Sequence, residues 1–240
     1  MMRARLLGGM AAVAFLGLSG CDWMPGKPTR AEQWQAPGKL LDFETLYMQN
    51  CNGCHGAQGT VAGSISLDDP TYLAIIPRDT LRSIIANGVP GKLMPAFSMA
   101  HGGLLTDEQI GILVDGIMAW AKNPPAGPLP AYAAAPGDAT NGESIYAEYT
   151  ASIAKSPAAS MLKDGFLTNP AFLGLSSDQY LRTLVIVGRP EIGVPNYQNV
   201  IPGRPLSDQD IADVVAWLIS QRKNEFGQPL VPAPPAPAQP

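Results

Sequence analysis

Apolar residues recur with helical spacing in separate blocks along the chain, and each block carries its own start signal. Leu81, Ile84 and Ile85 share one face of a helix expected over residues 79–86. Ile110, Leu113, Val114 and Ile117 form the face of another, opened by Thr106-Asp107-Glu108-Gln109, a threonine cap with glutamine at the third helical position. Residues 43–49 give a shorter helix, and residues 178–187 and 207–217 give two more. Between the blocks, proline breaks regular structure. Pro124, Pro125, Pro128, Pro130 and Pro136 make residues 122–140 a semi-rigid linker, and residues 227–240 read as an extended, proline-rich tail.

The N-terminal pattern differs in kind. Arg3 and Arg5 precede an apolar run over residues 6–18, the order of a secretory signal, and the run is too short to span a bilayer comfortably. It ends in Leu18-Ser19-Gly20-Cys21. Residues 22–39, with Pro25, Pro28, Pro37, Gly26 and Gly38, read as a tether with a flexible-coil span of roughly 25 Å.

Cys51-Asn52-Gly53-Cys54-His55 is a C-x-x-C-H run, the signature of covalent c-type haem attachment. Two thiols at this spacing reach the two vinyl groups on one porphyrin edge, and the next residue, His55, falls under the iron as proximal ligand. Zinc would need further ligands, and only Cys21 and His101 remain among the Cys and His residues. A redox disulfide motif belongs in a βαβ pattern, which does not surround these residues.

With the Gly/Pro-rich loop Asn87-Gly88-Val89-Pro90-Gly91-Lys92-Leu93-Met94-Pro95-Ala96-Phe97, residues 43–121 resemble a bacterial class I cytochrome c domain. The resemblance implies an all-α fold, one covalent haem c, and Met94 as the distal iron ligand. Met48, Met99 and His101 are the alternatives: Met48 lies too near Cys51, Met99 lacks the Met-Pro context, and His101 sits in a glycine-rich loop. The box at Cys21 likewise resembles that of bacterial lipoproteins, implying lipidation of Cys21. Lipid on Cys21 and haem on Cys51 and Cys54 would use all three cysteines.

Sliding the chain by 100 residues superposes Pro70 on Pro170, Leu81-Arg82 on Leu181-Arg182, Gly88 on Gly188, and Pro95 on Pro195. Shifts of 99 and 101 bring Tyr47 onto Tyr146 and Leu105-Thr106-Asp107 onto Leu206-Ser207-Asp208. The expected architecture is two tandem cytochrome c-like domains, the second without haem, because Thr150, Ile153, Ala154 and Val194 stand where Cys51, Cys54, His55 and Met94 stand. The expected division is signal peptide 1–20, lipid-anchored tether 21–39, haem domain 40–121, linker 122–140, haemless domain 141–226 and tail 227–240. Ile153, Met161, Leu162, Phe166 and Leu167 are candidates to fill the haem volume of the second domain; a pocket for another flat ligand is the alternative.

Charge narrows the partners. Without residues 1–20, 14 basic side chains face 20 acidic ones, and residues 40–121 hold eight acids against three bases. No basic stripe exists for nucleic acid. The expectation is an electron carrier and not an enzyme, with no small-molecule substrate, anchored by lipid on the periplasmic side of a bacterial membrane, the inner one favoured. Its partner would be a membrane redox complex, as subunit of or shuttle for a respiratory or photosynthetic quinol-oxidising assembly. The rival is a haem enzyme or sensor that binds a small molecule after distal-ligand release. The second domain is expected to dock the partner, or else to shield the first domain's haem edge.

Overall fold

The computed structural model describes residues 34–60, 65–153, 166–189 and 194–222. The chain divides into two compact units, Met1–Leu40 and Leu41–Pro240. Of the first, the described part is a 3-10 turn, Pro37–Lys39, with its flanking residues. The signal run, Cys21, most of the tether, the side chains of Ile153 and Phe166, Ala154, Met161, Leu162 and the tail lie outside the described residues. Among those described, the fold is all-α as expected, with isolated bridges and no strand, and no helix is long and apolar enough to cross a membrane.

Within the second unit, the helices of residues 41–121 are short because each is stopped by a specific residue. α1 (Phe43–Asn50) starts at Asp42, whose carboxylate accepts the Thr45 amide at 2.8 Å, and stops at Cys51. The chain restarts as a single turn, α2 (Asn52–His55), closed by Gly56. α3 (Pro70–Ile75) is capped by Asp69, with Pro70 in its first turn. α4 (Arg78–Asn87) ends at Gly88, and α5 (Asp107–Met118) opens with the expected Thr106–Gln109 capping box. Leu46, Leu81, Ile85, Ile110, Leu113, Val114 and Ile117 are buried between α1, α4 and α5. α1 crosses α5 at Gly116, where any Cβ would run into the Phe43 ring; Phe43 and Tyr47 meet Trp120 edge-on at 5.4 and 4.9 Å.

The remaining helices, α6 (Ala139–Ile153), α7 (Pro170–Leu175), α8 (Asp178–Val187) and α9 (Asp208–Ser220), repeat this order with matching punctuation. Asn169 caps α7 as Asp69 caps α3, Gly188 ends α8 as Gly88 ends α4, and Ser207 with Asp210 forms the capping box of α9. Gly88 and Gly188 have φ of +67° and +74°, and a Cβ on either would stand 2.6 Å from the backbone of Pro95 or Pro195. The loop after each glycine closes alike: the Val89 amide donates to the Met94 carbonyl at 2.9 Å, and the Arg189 amide to the Val194 carbonyl at 2.7 Å.

One detail is exchanged between the halves. Gly142 of α6 occupies the place of Phe43 and Trp217 of α9 the place of Gly116, so the glycine sits on the first helix and the aromatic on the last. A Cβ on Gly142 would collide with the Asp213 carbonyl and press on Trp217, and Trp217 lies 4.3 Å from Tyr146. Either way, one glycine lets the two helices approach closely.

The linker is held more tightly than its composition implies. Arg182, 1% exposed, donates through Nε and Nη2 to the Ala131 carbonyl at 3.1 and 2.8 Å, and Nη2 stands 2.6 Å from Asp208. The Ala131 amide donates to the Asp208 carboxylate, and Gln179 donates to the Tyr132 carbonyl at 2.7 Å. The first turn of α6 begins at Ala139, inside the stretch read as linker, and the Thr140 amide donates to the Asp138 carboxylate.

Candidate functional site

The break at Cys51 builds the site. Cys51 has φ −117° and ψ −37°, and its carbonyl accepts the amides of Cys54 (3.1 Å) and His55 (3.0 Å). Cys51, Cys54 and His55 therefore stand at i, i+3 and i+4 and share one face of one turn. Cys51 is buried and Cys54 exposed. Burial, with Cys54 alongside, pushes the Cys51 thiol up to about 12. A redox C-x-x-C does the opposite, lowering a thiol to make a reactive thiolate. Among the described residues no group of three or more His, Cys, Asp and Glu could hold a metal ion.

His55 is prepared as a neutral ligand. Burial lowers its pKa, and a hydrogen bond to the Ile65 backbone opposes that shift. A bond that favours the charged ring is one the imidazole donates, which ties the ring to the Ile65 carbonyl and sets its orientation. Tyr47 fixes the far side of the turn: its hydroxyl donates to the Gly56 carbonyl at 2.9 Å. Burial first, and the nearby Cys51 second, raise that hydroxyl to about 12, so it stays a donor at neutral pH. Neither Ile65 nor the hydroxyl's target was legible beforehand; the only signal was a tyrosine four residues before Cys51.

Met94 comes from a separate loop. Its base is fastened to α4 by the Phe97 amide on the Ile85 carbonyl and the Ser98 amide on the Ala86 carbonyl, both 3.1 Å. Its tip turns through Lys92, whose amide donates to the Val89 carbonyl at 3.0 Å. Met94 is half-buried, while Met48 and Met99 are exposed. His101 is exposed too, and its Nδ1 pairs with Ser98 Oγ at 2.9 Å within its own turn. Two thiols and an imidazole on one turn, with a soft thioether on a separate loop, are donor types suited to covalent haem.

The described part of the corresponding region in the second half is built differently. α6 runs without a break through Thr150 to Ile153, and Thr150 Oγ1 bonds back to the Ala147 carbonyl at 3.0 Å. Val194, at the position of Met94, and Leu167 are buried. Among the described residues the cavity between Ile145, Tyr149, Leu184, Val194 and Val214 amounts to about 30 Å³. That is room for a water, an order of magnitude below a cofactor pocket. It does not favour the flat-ligand alternative.

Residues 38–115 match the family described as cytochrome C oxidase, cbb3-type, subunit III. The chain is also 31% identical over 83 residues to cytochrome c55X of Stutzerimonas stutzeri, covering 35% of this chain and 69% of that protein. No solved structure matches the chain.

Proposed function

The chain belongs to the c-type cytochromes, and from that premise we propose that it is a membrane-anchored, single-haem electron carrier whose second half is a haemless cytochrome c-like domain. Covalent haem is what such proteins carry, and when bound it supplies an iron that alternates between ferric and ferrous. The chain's own residues do the rest. Cys51 and Cys54 would bind the porphyrin covalently, and His55, oriented by Ile65, and Met94 would ligate its iron. The observation that carries this reading is the placement of Cys51, Cys54 and His55 on one turn with the imidazole already oriented. With His55 and Met94 both as ligands, the iron would offer no position for a substrate, which favours the carrier reading over the enzyme or sensor.

Anchoring by lipid on Cys21, on the periplasmic side of the inner membrane, is part of the proposal and rests on the Leu18-Ser19-Gly20-Cys21 box. A fixed subunit of, or tethered shuttle for, a membrane redox complex suits that anchor; the match to a family described as an oxidase subunit supports the association. The haemless half is assigned to docking the partner, with electrons passing through the first half alone. A redox titration should give a single one-electron wave, and the reduced protein should not bind carbon monoxide. Rapid carbon monoxide binding would instead favour the ligand-binding reading. Cys21→Ser protein should move from membrane to soluble fraction; retention in the membrane would remove the lipid anchor from the account.

A further inference from the structure

Two cations from distant parts of the chain converge on the C-terminal end of α7. Lys92 Nζ donates to the Gly174 carbonyl at 2.8 Å. Arg222 donates through Nε to the Leu173 carbonyl at 3.1 Å and through Nη2 to the Ser176 carbonyl at 2.9 Å, while its Nη1 stands 2.7 Å from Asp178. The last carbonyls of a helix have no partner within it and carry partial negative charge, so ammonium and guanidinium groups are favoured there. Arg222 belongs to the second half and braces α7 from its own side. Lys92 does not: its backbone lies in the turn that presents Met94.

The tip of that loop has little else to hold it. Its base is bonded to α4 through Phe97 and Ser98, but the turn from Val89 to Met94 closes on itself, and Leu93 at the tip is 77% exposed. The Lys92 ammonium therefore joins the tip of the methionine loop to a helix end that Arg222 keeps in place. A swing of this tip would carry the Met94 thioether away from an iron it ligates, a local opening whose cost is set by contacts of this kind.

We propose that Lys92 is a positioning residue for Met94: by clamping the distal loop to the end of α7, it lets the haemless half set how readily the methionine leaves the iron. The proposal rests on Met94 being the distal ligand. It gives the second half a role in the redox site that requires no haem of its own, and it makes release of α7, for example by a docked partner, a means of loosening the distal ligand.

The test uses the full-length ferric holoprotein with imidazole as probe, since imidazole competes for the position held by Met94. The readouts are the rate of imidazole binding and the loss of the far-red sulfur-to-iron absorption. Lys92→Met, which keeps the aliphatic stem and removes the donor, should bind imidazole about threefold faster, in line with one partly exposed charged bond. Lys92→Arg should return the rate toward that of the parent. Raising ionic strength should accelerate the parent more than Lys92→Met, because salt screens a bond the variant lacks. A Lys92→Met rate equal to that of the parent, with Met94→Ala fast, would overturn the clamp and leave the ligand assignment standing. A Met94→Ala protein that keeps the far-red absorption would overturn both.

Discussion

The two halves of the second unit are the same helical plan with and without a break in the first helix. In the first, the helix stops at Cys51 and restarts as one turn carrying Cys54 and His55; in the second, α6 runs on to Ile153. The punctuation around that difference is unchanged: caps at Asp69 and Asn169, positive φ at Gly88 and Gly188, and capping boxes at Thr106 and Ser207. The framework is thus specified by caps, turns and one close helix crossing, all of which recur in the half that lacks Cys51, Cys54, His55 and Met94. On the proposed function, haem binding is an addition to the plan, made by the break and the methionine loop.

The crossing is the first place to break the comparison. Gly142 meets the Asp213 backbone as Gly116 meets Phe43, so Gly142→Leu should destabilise the second half by about 3 kcal/mol or more, since backbone must move to admit it. Thermal unfolding followed by circular dichroism would register it. A loss under about 1 kcal/mol would show that α6 and α9 are not held at this spacing.

Arg82 and Arg182 sharpen it next. Each faces the first turn of the helix that follows, but Arg182 is buried under the linker and bonded to Ala131 and Asp208, whereas Arg82, partly exposed, reaches the Asp107 carbonyl at 3.1 Å. Arg182→Met should cost about 3 kcal/mol, and Arg82→Met about 0.5 kcal/mol or less. Equal effects, measured by chemical denaturation, would mean that the linker is not docked on the second half.

Asp213 gives the smallest and most pH-dependent difference; Ile112 stands at its place in the first half. Burial works against its charge, but the Asp138 amide (2.7 Å), Asn141 (2.6 Å) and Gln209 (2.8 Å) together hold its pKa below the usual value. A depressed carboxylate contributes stability above its unfolded pKa of about 3.9 and loses it as pH falls through the lower folded value. The parent should therefore lose stability below about pH 4 more steeply than Asp213→Asn. Parallel acid titrations of the two would contradict the assignment.

Much of this plan was legible in the chain. The helix faces at Leu81 and Ile110, the Thr106 box and the C-x-x-C-H turn follow from local spacing, which sequence carries directly. What stayed hidden depends on approach between distant residues. Proline content marked residues 122–140 as a spacer, yet Arg182 and Asp208 fix the backbone at Ala131, and nothing in the spacer itself announces a buried guanidinium. The Ile65 bond to His55 and the Lys92 bond to Gly174 are side chain to backbone contacts, indifferent to the identity of the residue that supplies the carbonyl. Asp213 meets its partners because Gly137 and Gly142 let the preceding chain come down onto α9, an approach no local pattern announces.

The central claim is that the first half holds covalent haem and the second holds none. Haem-to-protein stoichiometry by pyridine haemochrome assay, joined to mass measurement of proteolytic peptides, tests it directly. The account predicts one haem per chain, carried on the peptide containing Cys51 and Cys54. A ratio near two, or a haem mass absent from that peptide, would contradict it.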